Sequence, residues 1–203
     1  MRKNRSTSPL LTVAMALVLT LIIFIFGARL VSADDWDINR LMRSLAQNQG
    51  SRATFAEKKF LAVLDAPVES SGELLYRAPG YFEKITLRPK PESLILDRNV
   101  LTIVRGSRAN ILPLQNYPEI GAVVGSIIGT LTGDRALLEQ TYRLNLEGDE
   151  ARWILTLVPS EHEFVAVVQK IRMYGAGGVV KIVEMLQADG DRSVMSIEIV
   201  KTP

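Results

Sequence analysis

Cysteine is absent from the 203 residues, and histidine occurs once, at His162. The first absence excludes a disulfide framework, a thiol nucleophile and a lipid-modified N-terminal cysteine. The second leaves little for acid–base chemistry. His162 lies between Glu161 and Glu163, just after Val158-Pro159-Ser160, and reads as a solvated turn residue, not a metal ligand. No G-x-S-x-G elbow, H-E-x-x-H pair or Walker loop occurs. Gly175-Ala176-Gly177-Gly178 lies between strand patterns with no helix after it, so it is a hairpin turn and not a phosphate cradle. These gaps predict a protein that is not an enzyme and uses neither metal nor cofactor. A hydrolase built on His162 and a distant carboxylate is the catalytic alternative.

Long apolar runs are also missing, with one exception at the start. Arg2, Lys3 and Arg5 precede an apolar stretch from Leu10 to Phe26, and Val31-Ser32-Ala33 precede Asp34. Basic, apolar and small-residue regions in that order make a secretory signal. Residues 1–33 are thus expected to be a signal peptide cleaved after Ala33, with 34–203 as one domain. An uncleaved inner-membrane anchor is the alternative, and both place the rest of the chain across the membrane, in the periplasm. Positions 1–33 carry Arg2, Lys3, Arg5 and Arg29 and no acid, so 20 of the 24 basic residues remain against 22 acidic ones, a net charge of −2. No basic footprint for nucleic acid is left. Without disulfides, stability must come from a packed core, which a domain of this size can supply.

What is present is mostly strand pattern. Asp34 to Gln49 is predicted helical: Asp34 or Asp35 caps it, Ile38, Leu41, Met42 and Leu45 form one stripe, and Gly50-Ser51 ends it. From Arg52 onward, short alternating segments are separated by Pro, Gly, Asn and Asp. Ser93–Asp97 and Val100–Arg105 read as a hairpin turning at Arg98-Asn99. In Glu83–Arg88, Ile85 and Leu87 fall on one face and Lys84, Thr86 and Arg88 on the other. Glu57, Lys58 and Lys59 read as solvated strand positions. Pro118 to about Gln140 is the one helical insertion, with a second short helix from Arg135. Strands then resume to the end, giving about nine or ten. No strand–helix–strand rhythm appears, so the sheet should be antiparallel.

The expected fold is therefore mainly β (α+β): a single, strongly curved antiparallel sheet forming an unclosed half-barrel, covered by two or three helices. A sheet that long twists and curls, so its apolar face becomes concave. Two or three short helices leave part of that face uncovered, and the space left is an apolar pocket. The insertion helix places Ile120, Val123, Val124, Ile127, Ile128 and Leu131 at spacings of three and four, with Gly121, Gly125 and Gly129 between them. Each interior glycine weakens a helix by about 1 kcal/mol relative to alanine. Three readings stand: close packing against a neighbour, a lid that must move, and a membrane-dimerising motif.

Four segments in order resemble the LolA-like outer-membrane lipoprotein carriers, in a divergent branch: Ala53–Phe60, Ser71–Pro79, Leu94–Leu101 and Trp153–Pro159. The resemblance covers most of the domain. It implies an unclosed barrel with a helical lid, which carries an acylated lipoprotein or lipid cargo through the periplasm. It also implies an inner-membrane donor and an outer-membrane acceptor protein, and a monomer. One departure matters. The carriers place an arginine directly before the proline corresponding to Pro79, where it holds the lid closed; here that position is Ala78, and Arg77 lies one residue earlier. A one-residue offset points a strand side chain to the other face, so the gating role is not transferred to Arg77.

The candidate lipid-binding residues on the sheet are Phe55, Leu74, Tyr76, Phe82, Ile85, Leu87, Leu94, Leu96, Leu101, Ile103, Leu144, Leu146, Leu155 and Leu157. On the insertion helix they are Val123, Val124, Ile127, Ile128 and Leu131. An acyl chain buried there gains about 0.8 kcal/mol per methylene. A periplasmic lipid-sensing or regulatory module would share the fold and the cavity, but would pass a signal in place of cargo.

Overall fold

The computed structural model describes residues 36–200, so the expected signal segment and the proposed caps Asp34 and Asp35 lie outside the described residues. Helix α1 (Ile38–Ala46) begins at Asp37, whose side chain accepts the Arg40 backbone N–H at 2.7 Å. That hydrogen bond holds the Asp37 carboxyl below its usual range. Leu41, Met42 and Leu45 form the buried stripe of α1. Gly50 does not merely end the helix; it starts the next strand.

Eleven strands follow, somewhat more than the sequence pattern predicts. They are β1 (Gly50–Phe60), β2 (Val68–Arg77), β3 (Tyr81–Arg88), β4 (Glu92–Asp97), β5 (Val100–Arg105), β6 (Arg108–Pro113), β7 (Tyr142–Asp149), β8 (Arg152–Pro159), β9 (Val168–Ala176), β10 (Val179–Gln187) and β11 (Arg192–Ile199). All are antiparallel and belong to one sheet, in the order β6-β5-β4-β3-β2-β1-β11-β10-β9-β8-β7. The sheet is two meanders, β1–β6 and β7–β11, joined where β1 pairs with β11 from Ala53↔Ile199 to Phe60↔Arg192. β6 and β7 remain unpaired edges, so the barrel does not close. The expected β4–β5 hairpin forms, with Arg98 at a left-handed φ of 55° in its turn.

The crossover between the meanders carries helix α2 (Pro118–Thr132) and helix α3 (Arg135–Thr141). A one-turn helix α4 (His162–Val165) precedes β9. The buried face of α2 is Ala122, Ser126, Gly129 and Thr130. Small side chains there let the helix approach its neighbours closely. The Ser126 and Thr130 hydroxyls donate to the carbonyls of Val123 and Ser126, both at 2.7 Å, so neither polar group is orphaned. The glycine repeat divides in meaning. A Cβ on Gly129 would stand 2.7 Å from Leu138 Cδ2, whereas one on Gly125 would meet nothing within 4 Å. Close packing therefore accounts for Gly129 and not for Gly125. Among the described residues, no helix is long and apolar enough to cross a membrane.

The main core lies under α1 and α3. Leu41, Met42, Leu45 and Leu138 pack against Tyr142, Trp153, Leu155, Leu157, Val168, Ile171 and Met173. Trp153 Nε1–H donates to the Gly177 carbonyl at 2.8 Å. Its ring lies against Gly175, where an added Cβ would come within 2.2 Å of Cζ2. The indole explains Gly175; Gly177 takes the left-handed φ of 52° in the turn, and a Cβ on Gly178 would come within 2.4 Å of the Ser44 carbonyl oxygen on α1. The Tyr142 hydroxyl donates to the Ala122 carbonyl at 3.1 Å and ties β7 to α2. Burial pushes the Tyr142 hydroxyl up to about 12.

Candidate functional site

Pairing fixes which side chains share the concave face. Across β1–β6, one row is Ala53, Leu74, Lys84, Leu94 and Ile103, and the next is Ser51, Tyr76, Phe82, Leu96, Leu101 and Leu112. Across the seam, Phe55 faces Ile197 and Glu57 faces Met195, continued by Val183 on β10 and Met173 on β9. The far side adds Leu155 and Leu157 on β8, then Leu146 and Leu144 on β7.

Between this face and α2 lies a cavity of about 410 Å³. Of the expected lining residues, Leu74, Tyr76, Phe82, Leu94, Val123, Ile127 and Leu131 form its wall. Phe55 and Leu96 share the face but are buried beside the cavity, and Leu101 and Ile103 continue it, half-buried, toward the β6 edge. Leu155 and Leu157 are sealed in the main core, with Leu144 and Leu146 packed against it. Val124 and Ile128 are half-buried on another flank of α2 and do not reach the wall.

Two expected residues face the other way. Ile85 pairs with Glu73 and Ser93, opposite to the row that contains Lys84, and Leu87 shares its side with 53% of its surface exposed. The sequence reading of β3 is inverted because Lys84, not its apolar neighbours, points inward. The reading of Glu57 as solvated is overturned as well: only 5% of it is exposed. Its carboxylate receives Lys84 Nζ at 2.6 Å and the Ser70 hydroxyl at 3.4 Å, and Lys59 Nζ lies 3.9 Å away. The Lys84 ammonium also lies 4.8 Å from the centre of the Phe55 ring. Gly72 makes room beneath: a Cβ there would meet the Ile85 carbonyl oxygen at 1.9 Å and Phe55 Cε1 at 3.0 Å.

The wall also includes residues that the sequence reading missed: Met195, Ile197 and Ile199 on β11, and Val183 and Met185 on β10. A legible signal existed for β11, where Met195-Ser196-Ile197-Glu198-Ile199 alternates strictly. Arg77 stacks on the Tyr81 ring at 4.2 Å, on the face opposite to Tyr76, and takes no part in closing α2 over the cavity. His162 is exposed at the start of α4. Among the described residues, no group of three or more potential ligand side chains gathers to hold a metal ion.

No curated protein matches the sequence. Among solved structures, the chain is similar to a LolA superfamily protein from Nitrosomonas europaea, at 12% identity and a TM-score of 0.44, covering 82% of this chain and 93% of that one. It is also similar to a putative outer membrane lipoprotein-sorting protein domain from Vibrio parahaemolyticus, at 9% identity and a TM-score of 0.42, covering 84% and 94%. A third similarity is to the MucA/MucB complex of Pseudomonas aeruginosa, at 16% identity and a TM-score of 0.45, covering 82% of this chain and 56% of that one. The family described as outer membrane lipoprotein carrier protein LolA-like matches residues 30–197, and the chain belongs to that family.

Proposed function

We propose that the cavity binds a long acyl chain and that the protein carries an acylated lipoprotein or lipid through the periplasm, from the inner to the outer membrane, as a non-catalytic carrier. The observation that supports this most is the mainly apolar hollow of about 410 Å³ left beside the packed core. Ligand sites typically measure about 300–1,000 Å³. An apolar cavity of about 150 Å³ holds one benzene, so by proportion this one suits about sixteen carbons. A chain of that length gains on the order of 10 kcal/mol from burial before ordering is subtracted. Membership of the LolA-like family agrees with the same reading.

Native mass spectrometry and lipid extraction of the purified protein test the proposal. Co-isolated lipid and saturable binding of a fluorescent fatty-acid probe are the expected results. The absence of both overturns it. Transfer of the bound probe to acceptor vesicles separates a carrier from a sensor, because a sensor retains its ligand and changes a partner instead.

A further inference from the structure

The cavity is not uniformly apolar. Among the described residues, the charged side chains on its wall are Glu57, Lys59 and Lys84, which leave it with a net charge of +1. Their charged groups gather around Glu57, with the Lys84 side chain reaching there from the row of Ala53, and Lys59, its β11 partner Ser193 and Gln187 on β10 line the cavity at that end. Farther along the same strands, the wall is Ala53, Ile197 and Ile199, and beyond them the uncharged Ser51 and Asn48, whose side chains hydrogen-bond to each other at 3.4 Å. The hollow thus has a charged end and an uncharged, mostly apolar remainder, as an amphiphile has a head and a chain.

The ion pair is not explained by stability. A buried pair such as Glu57 and Lys84 gains little over apolar residues of similar volume. An ammonium has three donors, and Glu57 takes one of those of Lys84. The carboxylate meanwhile serves Lys84, Ser70 and, more distantly, Lys59. Glu57 therefore holds the Lys84 ammonium at the wall without neutralising the pair of lysines.

Building on the acyl-chain reading above, we infer that the ligand is a single-chain amphiphile with a head group of charge −1, a carboxylate or a lipid phosphodiester, which docks between Lys59 and Lys84. Its chain lies along Leu74, Tyr76, Ile127 and Ile197. The head supplies the missing unit of negative charge, and the volume admits one chain.

Displacement titrations of the purified protein with palmitate, lysophosphatidylglycerol and neutral monopalmitoylglycerol test this. At least one of the two anions should bind about tenfold or more tighter than the neutral ligand. Whichever anion is tighter identifies the source of the head group. Lys59→Gln should bring the preference to within about threefold at an unchanged melting temperature, and Lys59→Arg should retain it. The paired change Glu57→Gln with Lys84→Met, which leaves neither buried charge alone, should also shrink it. The Lys59 variants carry the test if the paired variant does not fold. Equal binding of all three ligands, or a preference that survives Lys59→Gln, overturns the head-group site and leaves the acyl-chain reading intact. Binding of none of the three overturns both.

Discussion

The two flanks of the sheet use the same kind of strand for opposite ends. On β7–β9, alternate residues meet α1 and α3, and Trp153, Leu155 and Leu157 are 0% exposed. On β1–β4 and β10–β11, inward residues are mostly apolar but include Glu57 and Lys84, and α2 reaches them with Val123, Ser126, Ile127, Thr130 and Leu131. Phe82, Leu94, Met195 and Ile197 therefore stay half-buried around a hollow. Apolar alternation alone does not decide between core and cavity. The number of helices above each flank does.

The contrast is broken most strongly from the filled side. Leu155→Ala should cost about 2–5 kcal/mol of stability, because a sealed core cannot relax around the gap. Leu94→Ala, at the half-open wall, should cost clearly less, and urea unfolding of the two variants compares them directly. A cost for Leu94→Ala equal to that for Leu155→Ala would make the wall ordinary core. On α2, Ile127→Asp should weaken fatty-acid probe binding about a hundredfold, since a carboxylate would then face the chain. Ile128→Asp, one residue on and off the wall, should leave binding within about threefold. Equal losses would place the ligand elsewhere on the helix.

Smaller effects sharpen how α2 is held. Gly129→Ala should destabilise by about 1–2 kcal/mol despite its gain in helix propensity, because the new methyl strikes buried Leu138. Tyr142→Phe should remove about 1 kcal/mol with the hydrogen bond to the Ala122 carbonyl. The hydroxyl's raised pKa makes an alkaline signature: its contribution is complete below pH 10 and is lost as pH rises from 10 through about 12, so unfolding curves of Tyr142→Phe and the parent should converge over that window. Gly125→Ala meets open space and should stabilise α2 by about 0.5–1 kcal/mol. If the helix must move to admit ligand, the same change should slow probe uptake in stopped-flow measurements.

Much of the fold is legible because strands and turns are local. The Arg98-Asn99 turn, the α2 and α3 boundaries and the alternation of β7 and β8 are written in neighbouring residues. The site is only half legible, for two physical reasons. First, alternation gives two faces but not which one is inner. On β3 the apolar residues Ile85 and Leu87 face outward, because Lys84 is held inside by a partner 27 positions earlier. Second, burial of Leu144, Leu146, Leu155 and Leu157 depends on where α1 and α3 come to rest, which is a long-range matter. Glu57 is hidden for the same reason: it shares the inward face with apolar Phe55, and only the distant Lys84 gives that buried carboxylate a partner.

The seam between β1 and β11 has a consequence for assembly in time. Each meander zips from hairpins close in sequence, but the seam joins strands from opposite ends of the domain and must wait for β11. Ala53, Glu57 and Lys59 stand on one lip of that seam, and Ser193, Met195, Ile197 and Ile199 on the other. A chain still emerging residue by residue thus has no receptacle at all. The wall of the cavity is complete only once the last strand has slotted into the middle of the sheet.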